Sequence, residues 1–216
     1  MSRHTAPDEL LLDYATGALA PGPALALSLH VALDARARRI IERLEAMGGA
    51  LLDDEAAPAD EAALRHTLAL LDTIPVERPV APPIARPGFE WVPRPLLRHL
   101  GSEMNWRRVL GGFDEIRLHL PGDRHRVSLL RLAPGRGLPV HRHEGEEYTV
   151  VLQGGYTDAT GNYAVGDFAI GPGPEEHEPI ADAGEPCIAL IVLEQPIVLT
   201  GPFGRWLNPL VKRDLI

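Results

Sequence analysis

The segment Gly135-Arg136-Gly137-Leu138-Pro139-Val140-His141-Arg142-His143-Glu144-Gly145-Glu146-Glu147 places two histidines two positions apart and a glutamate four positions after the second. Residues i and i+2 of a β-strand point to the same face, so His141 and His143 can present both imidazoles to one point. Glu147 begins the next apolar run, and a tight turn can return its carboxylate to that point. Two neutral histidines and a carboxylate are good ligands for a divalent ion, so the segment predicts a metal site.

A second segment, Gly166-Asp167-Phe168-Ala169-Ile170-Gly171-Pro172-Gly173-Pro174-Glu175-Glu176-His177, supplies a third histidine after a glycine-proline turn. Both segments lie among short β-type runs separated by glycine and proline. These predicted strands cover 115–120, 124–132, 138–141, 147–153, 167–170 and 187–194. Many short strands with such corners indicate a sandwich or a small barrel.

The two segments resemble the two sequence motifs of the cupin family. Every fixed position of the first motif is matched, by Gly135, His141, His143, Glu147 and Gly154. The second motif is matched by Gly166, Pro172 and His177. Pro174 stands where glycine is usual and Ala181 where asparagine is usual, but neither position is a metal ligand. The resemblance implies that His141, His143, Glu147 and His177 hold one divalent metal inside a barrel. Zinc is the expected ion, with Fe, Mn or Ni as alternatives.

The region before the barrel is rich in alanine and leucine, with apolar residues at three- and four-residue spacing. This pattern predicts helices over 8–19, 23–47 and 60–72. Gly48-Gly49 is the expected end of the second helix, with an extension through Ala50-Leu51-Leu52, or a separate element there, as the alternatives. Residues 1–74 carry twelve acidic and six basic side chains, a net charge of −6. Two interpretations follow: this region binds a basic surface of a partner, or the charges form a solvated helix face.

A segment with seven prolines in 21 residues, 75–95, separates the helices from the strands. Proline cannot continue a helix and favours extended backbone, so this segment is interpreted as a linker, with Phe89, Trp91 and Val92 able to dock on a sheet. The predicted organisation is a helical domain over 1–74, the linker, a cupin domain over 96–200 and a tail over 201–216. The fold class is α+β with two domains, an all-α helical bundle followed by an all-β cupin barrel (a double-stranded β-helix or jelly roll).

The whole arrangement resembles the ChrR-type anti-sigma factors, in which a zinc-binding helical domain precedes a cupin. That family carries HxxxCxxC in a helix and a further histidine near the start of the chain. Here His30 and His4 are present, but Asp34 and Ala37 stand where the two cysteines are expected. Two interpretations follow: His4, His30 and Asp34 form a weaker three-ligand site, or the helices are held by their leucine stripe with His30 as a packing or capping residue.

Composition narrows the classes of function. The 216 residues include 21 basic and 30 acidic side chains, a formal net charge of −9. The chain therefore lacks the excess of positive charge that is typical of proteins that bind nucleic acids directly. The single cysteine, Cys187, excludes an intrachain disulfide and a CxxC pair, which suits a reducing cytosol, and it is interpreted as a small buried side chain. The sequence has no apolar run of about 18 residues, so we expect a cytoplasmic protein without a membrane span.

By resemblance, the helical region binds and inhibits an extracytoplasmic-function sigma factor, and the metal-bearing cupin senses an oxidative or small-molecule signal. No residue is assigned a catalytic role in this interpretation, and a homodimer is an additional possible assembly. The alternative is a metal-dependent cupin enzyme, a dioxygenase or an isomerase, in which the same four ligands serve a small organic substrate. A third interpretation is a small-molecule-binding cupin with neither activity.

Overall fold

Helices precede strands along the chain. The computed structural model describes residues 3–55, 60–71, 73–74, 88–101, 103–109, 112–171, 173–201 and 204–212. The helices before the strands are α1 (Asp8–Thr16), α2 (Pro21–Leu33), α3 (Ala35–Glu55), α4 (Glu61–Leu71) and the one-turn α5 (Arg94–Leu97). After the strands come a 3-10 helix (Gly204–Leu207) and α6 (Asn208–Lys212). The predicted class, an all-α region followed by an all-β region, is confirmed.

The strands form one large sheet and two small ones, all with antiparallel pairing. They are β1 (Arg107–Arg108), β2 (Asp114–Leu118), β3 (Arg126–Leu132), β4 (His141–Arg142), β5 (Glu147–Gln153), β6 (Gly155–Asp158), β7 (Gly161–Ala164), β8 (Phe168–Ile170), β9 (Ile180–Ala181), β10 (Cys187–Leu193) and β11 (Val198–Leu199). The large sheet has the order β1-β2-β3-β10-β5-β8, and the small sheets are β11-β4 and β7-β6-β9. Single bridges, Gly137 to Ile180 and His141 to His177, connect the segments of the small sheets.

Two of the helix boundaries expected from sequence are wrong. The helix predicted over 23–47 is broken at Asp34, whose backbone is extended and whose side chain accepts hydrogen bonds from the N–H groups of Arg36 and Ala37. Asp34 is therefore the N-cap of α3, a use of aspartate that competes with a continuous helix. The expected stop at Gly48-Gly49 is also wrong, because α3 continues to Glu55 and neither glycine has a positive φ. Glycine lowers helix stability by about 1 kcal/mol but does not end a helix by itself.

The strand pattern is confirmed for the long strands, but one hairpin was not predicted. Strands β2, β3, β5, β8 and β10 coincide with predicted runs to within a few residues. The run predicted over 138–141 contributes only the two-residue β4, and the hairpin β6-β7 was missed. Its sequence is polar and contains glycine, which gives little β-propensity, and it is held by stacking of Tyr156 on Tyr163 at 4.7 Å.

Helix α2 lies on the outer face of the large sheet. Its Leu25, Leu27 and Leu29 belong to one continuous apolar cluster with Val150 of β5 and Leu190 of β10. The helix approaches so closely at its start that a Cβ at Gly22 would lie 3.0 Å from Val127 Cγ2 and 2.6 Å from Asp123 Oδ2. The helices and the sheet thus share a core.

The end of the proline-rich segment docks on this core, as predicted. Phe89 and Val92 are buried in the shared cluster and Trp91 packs against it. Residues 75–87 of the predicted linker lie outside the described part of the chain. Among the described residues no single helix has the length and hydropathy needed to cross a membrane; α1 and α2 meet that test only as a pair bent by 111°.

Candidate metal centre

Three imidazoles and one carboxylate converge between the large sheet and β4. His141 and His143 come from β4 and the residue after it, Glu147 opens β5, and His177 lies in the loop before β9. One ligand atom of each lies within 4.8 Å of all the others, and all four residues are buried. The strand periodicity of two brings the first two histidines together, as expected.

His177 joins the site through a contact that is distant in sequence. It forms an antiparallel bridge with His141, in which each backbone N–H donates to the other's carbonyl at 3.1 and 2.9 Å. The Nε2 atom of His177 lies 3.0 Å from Nε2 of His141 and 2.9 Å from Nε2 of His143. Three Nε2 atoms therefore face one point, where their lone pairs can bind one ion.

Neighbouring groups fix how two of the imidazoles present their nitrogens. The Nδ1–H of His141 donates to the carbonyl of Pro139 at 2.8 Å, and the Nδ1–H of His177 donates to Oδ2 of Asp158 at 3.2 Å. With Nδ1 protonated, each Nε2 carries the free lone pair that a metal requires. The carboxylate of Glu147 is oriented by Thr149, whose hydroxyl donates to Oε1 at 2.9 Å. Asp158 and Thr149 were missed at the sequence level.

The electrostatics of His141 and Glu147 favour the protonation states that bind a metal. Burial lowers the pKa of His141 to about 4, with a further lowering from the neighbouring His177. Burial alone would raise the pKa of Glu147, but the His143 and His141 side chains beside it hold that pKa below its ordinary value. A neutral imidazole and an ionised carboxylate are the forms that bind a metal.

One carboxylate oxygen tests whether the residues present fit a metal. Oε2 of Glu147 lies 2.6 Å from Nε2 of His143, yet it is buried and accepts no hydrogen bond. A buried carboxylate oxygen without a hydrogen bond is costly unless a cation satisfies it. The donor set of three imidazoles and one carboxylate therefore fits a divalent ion, and the residues present suit a zinc- or iron-type centre better than an oxygen-only magnesium site.

Two glycines permit this packing. A Cβ on Gly171 would lie 2.9 Å from Cβ of Glu147 and 3.0 Å from its Oε2, so only glycine lets the loop pass behind the carboxylate. Gly154, at the last fixed position of the first motif, has a φ of 65° and would place a Cβ 2.6 Å from the carbonyl oxygen of Pro186.

The metal site considered for the helical region is not assembled. Within the described ranges the only group of three or more potential ligands is the one in the barrel, so His4, His30 and Asp34 do not converge. The Nε2 atom of His4 contacts the carbonyl of Asn162 at 3.2 Å, and its ring packs on Tyr163 with centroids 4.6 Å apart. The zinc implied by the family resemblance in this region therefore does not fit the residues present.

His30 is a buried packing residue, which was the second of the two interpretations drawn from the sequence. It is fully buried, its Nε2 accepts the backbone N–H of Ala6 at 3.1 Å, and its Nδ1–H donates to the carbonyl of Gly166 at 2.8 Å. Ala37, in place of the second cysteine, is a fully buried core residue.

Two further residues discussed from the sequence, Ala181 and Cys187, are buried. Ala181 is buried in β9, and Pro172 lies outside the described residues. Cys187 is 1% exposed at the start of β10, and burial raises the pKa of its thiol to about 12. The thiol is protonated at neutral pH, which agrees with its interpretation as a small buried side chain.

Comparison with known proteins places this architecture. Residues 99–196 match the family model of the ChrR cupin-like domain. The chain is 33% identical over 211 residues to the anti-sigma-E factor ChrR of Cereibacter sphaeroides, covering 96% of this chain and 97% of that protein. The chain belongs to the ChrR anti-sigma factor family.

A solved member of the ChrR family has the same overall structure. The chain superposes on one from the crystal structure of Rhodobacter sphaeroides SigE in complex with the anti-sigma ChrR, with a TM-score of 0.73 and 32% identity. The match covers 89% of this chain and 100% of that one. An acetylacetone dioxygenase from Acinetobacter johnsonii matches 46% of this chain and 74% of that one with a TM-score of 0.41 and 13% identity, which is too low to inform function.

Proposed function

We propose that this chain is a cytoplasmic anti-sigma factor that binds and inhibits an extracytoplasmic-function sigma factor. The observation that carries the proposal is an apolar helix surface without a packing partner in the described structure. Helix α4 has no buried residue, and its Leu64, Leu68 and Leu71 are each more than half exposed. Exposed leucines in one helical stripe are typical of a surface that is buried in a complex.

The second half of α3 also presents exposed apolar side chains. Its Met47, Leu51 and Leu52 are between 64% and 71% exposed. Both α3 and α4 therefore carry exposed apolar side chains over at least one helical turn. We name this set, Met47, Leu51, Leu52, Leu64, Leu68 and Leu71, the leucine surface. The net charge of −6 over residues 1–74 favours a basic partner. The solved relative is a ChrR in complex with SigE, which supports a sigma factor as that partner.

The cupin region is the proposed sensor. In this proposal His141, His143, Glu147 and His177 hold one divalent ion, and zinc is the expected one because three imidazoles and a carboxylate are common zinc ligands. A signal acts only if it changes the free-energy difference between the sigma-bound and the released states. The proposed domain limits remain 1–74 for the helical part, 75–95 for the linker, 96–200 for the cupin and 201–216 for the tail.

Membership of the ChrR family favours this role over an enzyme. The four ligands would also suit a dioxygenase or an isomerase, but family membership and the exposed leucine surface both favour protein binding. In an anti-sigma factor, a metal held by the four ligands would cross-link β4, β5 and the loop that carries His177.

The test is co-purification of the full chain with an extracytoplasmic-function sigma factor from the same genome. We expect one complex in size-exclusion chromatography, and at least a tenfold weaker affinity for the double variant Leu64→Asp, Leu68→Asp. The matched control is Ile180→Asp, a 43% exposed apolar residue on β9, which should bind normally. The proposal would be overturned if the Leu64→Asp, Leu68→Asp variant and the Ile180→Asp control bound the sigma factor with equal affinity. It would also be overturned if the chain formed no complex with any such sigma factor.

A further inference from the structure

An apolar cavity of about 290 Å³ lies inside the barrel beside the metal ligands. His141, His143 and Glu147 form part of its wall, and most of the remaining wall is aliphatic. Small-molecule sites begin at roughly 300 Å³ and are mostly apolar with a few polar groups. The cavity therefore lies at the lower end of this size range, which suits a small organic molecule.

The central strands show that the cavity is a feature of the barrel's inner face. Leu129 of β3 and Leu190 of β10 point outward to the helices and are completely buried. Their neighbours Leu130 and Ile191 point inward, line the cavity and are only partly buried. The inner face of the sheet is thus less well filled than the face covered by α2, although both faces are apolar.

A carboxylate on the cavity wall already has its own partners. Glu115 accepts hydrogen bonds from Arg107 at 2.7 Å, Ser128 at 2.8 Å and Arg126 at 3.0 Å. Burial alone would raise the pKa of Glu115, but these hydrogen bonds lower it to about 2. The carboxylate is therefore ionised and satisfied, and it does not call for a polar ligand group.

The metal site is where a ligand's polar group would be bound. Glu147, whose buried Oε2 accepts no hydrogen bond, is one of the residues that line the cavity. A divalent ion held by these four residues would supply a positive charge that attracts an oxygen atom of a ligand. An anionic oxygen is the group that such an ion attracts most strongly.

The C-terminal segment forms another part of the cavity wall. Leu199 of β11, Leu207 of the 3-10 helix and Val211 of α6 all line it. The side chain of Asn208 holds this segment in place, since it accepts the N–H of Leu199 at 2.8 Å and donates to the Leu199 carbonyl at 3.0 Å. Leu199 also pairs directly with His141 across the β11-β4 ladder.

We propose that this cavity binds a small apolar carboxylate, with its carboxylate on the metal and its hydrocarbon chain against Leu130, Ile191 and Leu199. The proposal rests on the metal site described above and is independent of sigma binding. Because Leu199 contacts both the cavity and the strand of His141, an occupant would change the packing of the C-terminal segment and of β4 together. The site thereby gives the proposed sensor a ligand class.

The test titrates straight-chain carboxylates from butanoate to decanoate into the zinc-loaded full chain by isothermal titration calorimetry, with zinc content measured on the same sample. We expect the dissociation constant to fall by about fourfold for each added methylene until the cavity is full, because each methylene leaves water for an apolar wall. Longer chains should then show no further gain.

Variants locate the binding site. Leu130→Phe and Ile191→Phe each fill the cavity and should weaken octanoate binding at least tenfold, whereas Leu52→Phe, on the exposed end of α3, should not. Thermal unfolding identifies which filled variants remain folded. Zinc-loaded protein that binds no carboxylate, or that binds without chain-length dependence or equally well in the filled variants, would overturn the proposal. If the protein retained no zinc, the result would instead refute the metal site. Binding of the sigma factor is measured in a separate experiment.

Discussion

The Nδ1–H of His30 donates a hydrogen bond to the carbonyl oxygen of Gly166, which lies 136 positions further along the chain. The other ring nitrogen accepts the N–H of Ala6, so the imidazole is neutral and joins the N-terminal arm, α2 and the cupin. The resemblance to zinc-binding anti-sigma domains implies a metal ligand at this position. In this chain the same histidine connects two regions through these hydrogen bonds and through packing of its ring on Phe168, with centroids 5.4 Å apart.

The arm before α1 is attached to the same part of the cupin. Oδ1 of Asp167, a fully buried carboxylate, accepts the N–H of Arg3 and that of His4 at 2.9 Å, and the N–H of Phe168 donates to the carbonyl of His4 at 2.9 Å. Gly166 and Asp167 begin the segment that leads to His177. The arm and α2 are therefore both fixed to the strand that precedes a metal ligand.

Replacing His30 should cost stability. In His30→Ala the buried N–H of Ala6 and the carbonyl of Gly166 both lose their partner, and each such loss costs about 1–3 kcal/mol. We expect the free energy of unfolding in urea to fall by about 3 kcal/mol. His66→Ala, at an exposed position of α4, serves as the control and should change it by less than about 0.5 kcal/mol. Equal effects of the two substitutions would contradict the bridging role.

The same histidine should make stability depend on pH. Burial lowers the pKa of His30 below its ordinary value, ahead of smaller opposing effects from Gly166, Asp34 and Asp167. The unfolded chain takes up a proton near pH 6.5 while the folded chain resists it, so this contribution is present above pH 6.5 and is lost as the pH falls. Urea unfolding from pH 7.5 to 5 should show a smaller loss of stability in His30→Gln than in the wild type. A parallel pH profile for the two proteins would show that His30 does not carry the effect.

Metal content should distinguish the barrel site from the helical region. We expect one equivalent of divalent metal per chain after dialysis, measured by plasma mass spectrometry, because one group of four ligands converges among the residues that the structure describes. His141→Ala should lose it, since His141 contributes one of the converging Nε2 atoms, and His4→Ala should retain it. Two equivalents in the wild type, or loss of metal on replacing His4, would show that the helical region binds an ion after all.

The loop behind Glu147 should be sensitive to a single methyl group. In Gly171→Ala the new Cβ would fall 2.9 Å from Cβ of Glu147 and force the carboxylate or the loop to move. Loss of ligand orientation weakens metal binding by about 10–100-fold, which competition with a chromogenic chelator can measure. Gly201→Ala, where nothing lies within 4 Å of the added Cβ, should keep the wild-type affinity. A Gly171→Ala protein with unchanged affinity would mean that the loop yields without displacing Glu147.

Local periodicity and spacing made much of this architecture predictable. The alternation of a strand aligned His141 with His143, and the 3.6-residue spacing of apolar residues identified α1 and α4 to within a few residues. The same local rules failed at Asp34, because capping depends on whether the chain turns there. They also failed at Gly48-Gly49, because a glycine ends a helix only when the backbone adopts the left-handed conformation.

By itself, the sequence determined the order of the two regions, the four candidate ligands and the absence of the cysteine pair. Only the tertiary structure decided that His4, His30 and Asp34 have separate partners, that Asp158 orients His177, and that an apolar cavity borders the ligands. The physical reason is the separation along the chain. The partners of His30 lie 24 and 136 residues away, and those contacts are formed by packing α2 on the sheet rather than by any local pattern.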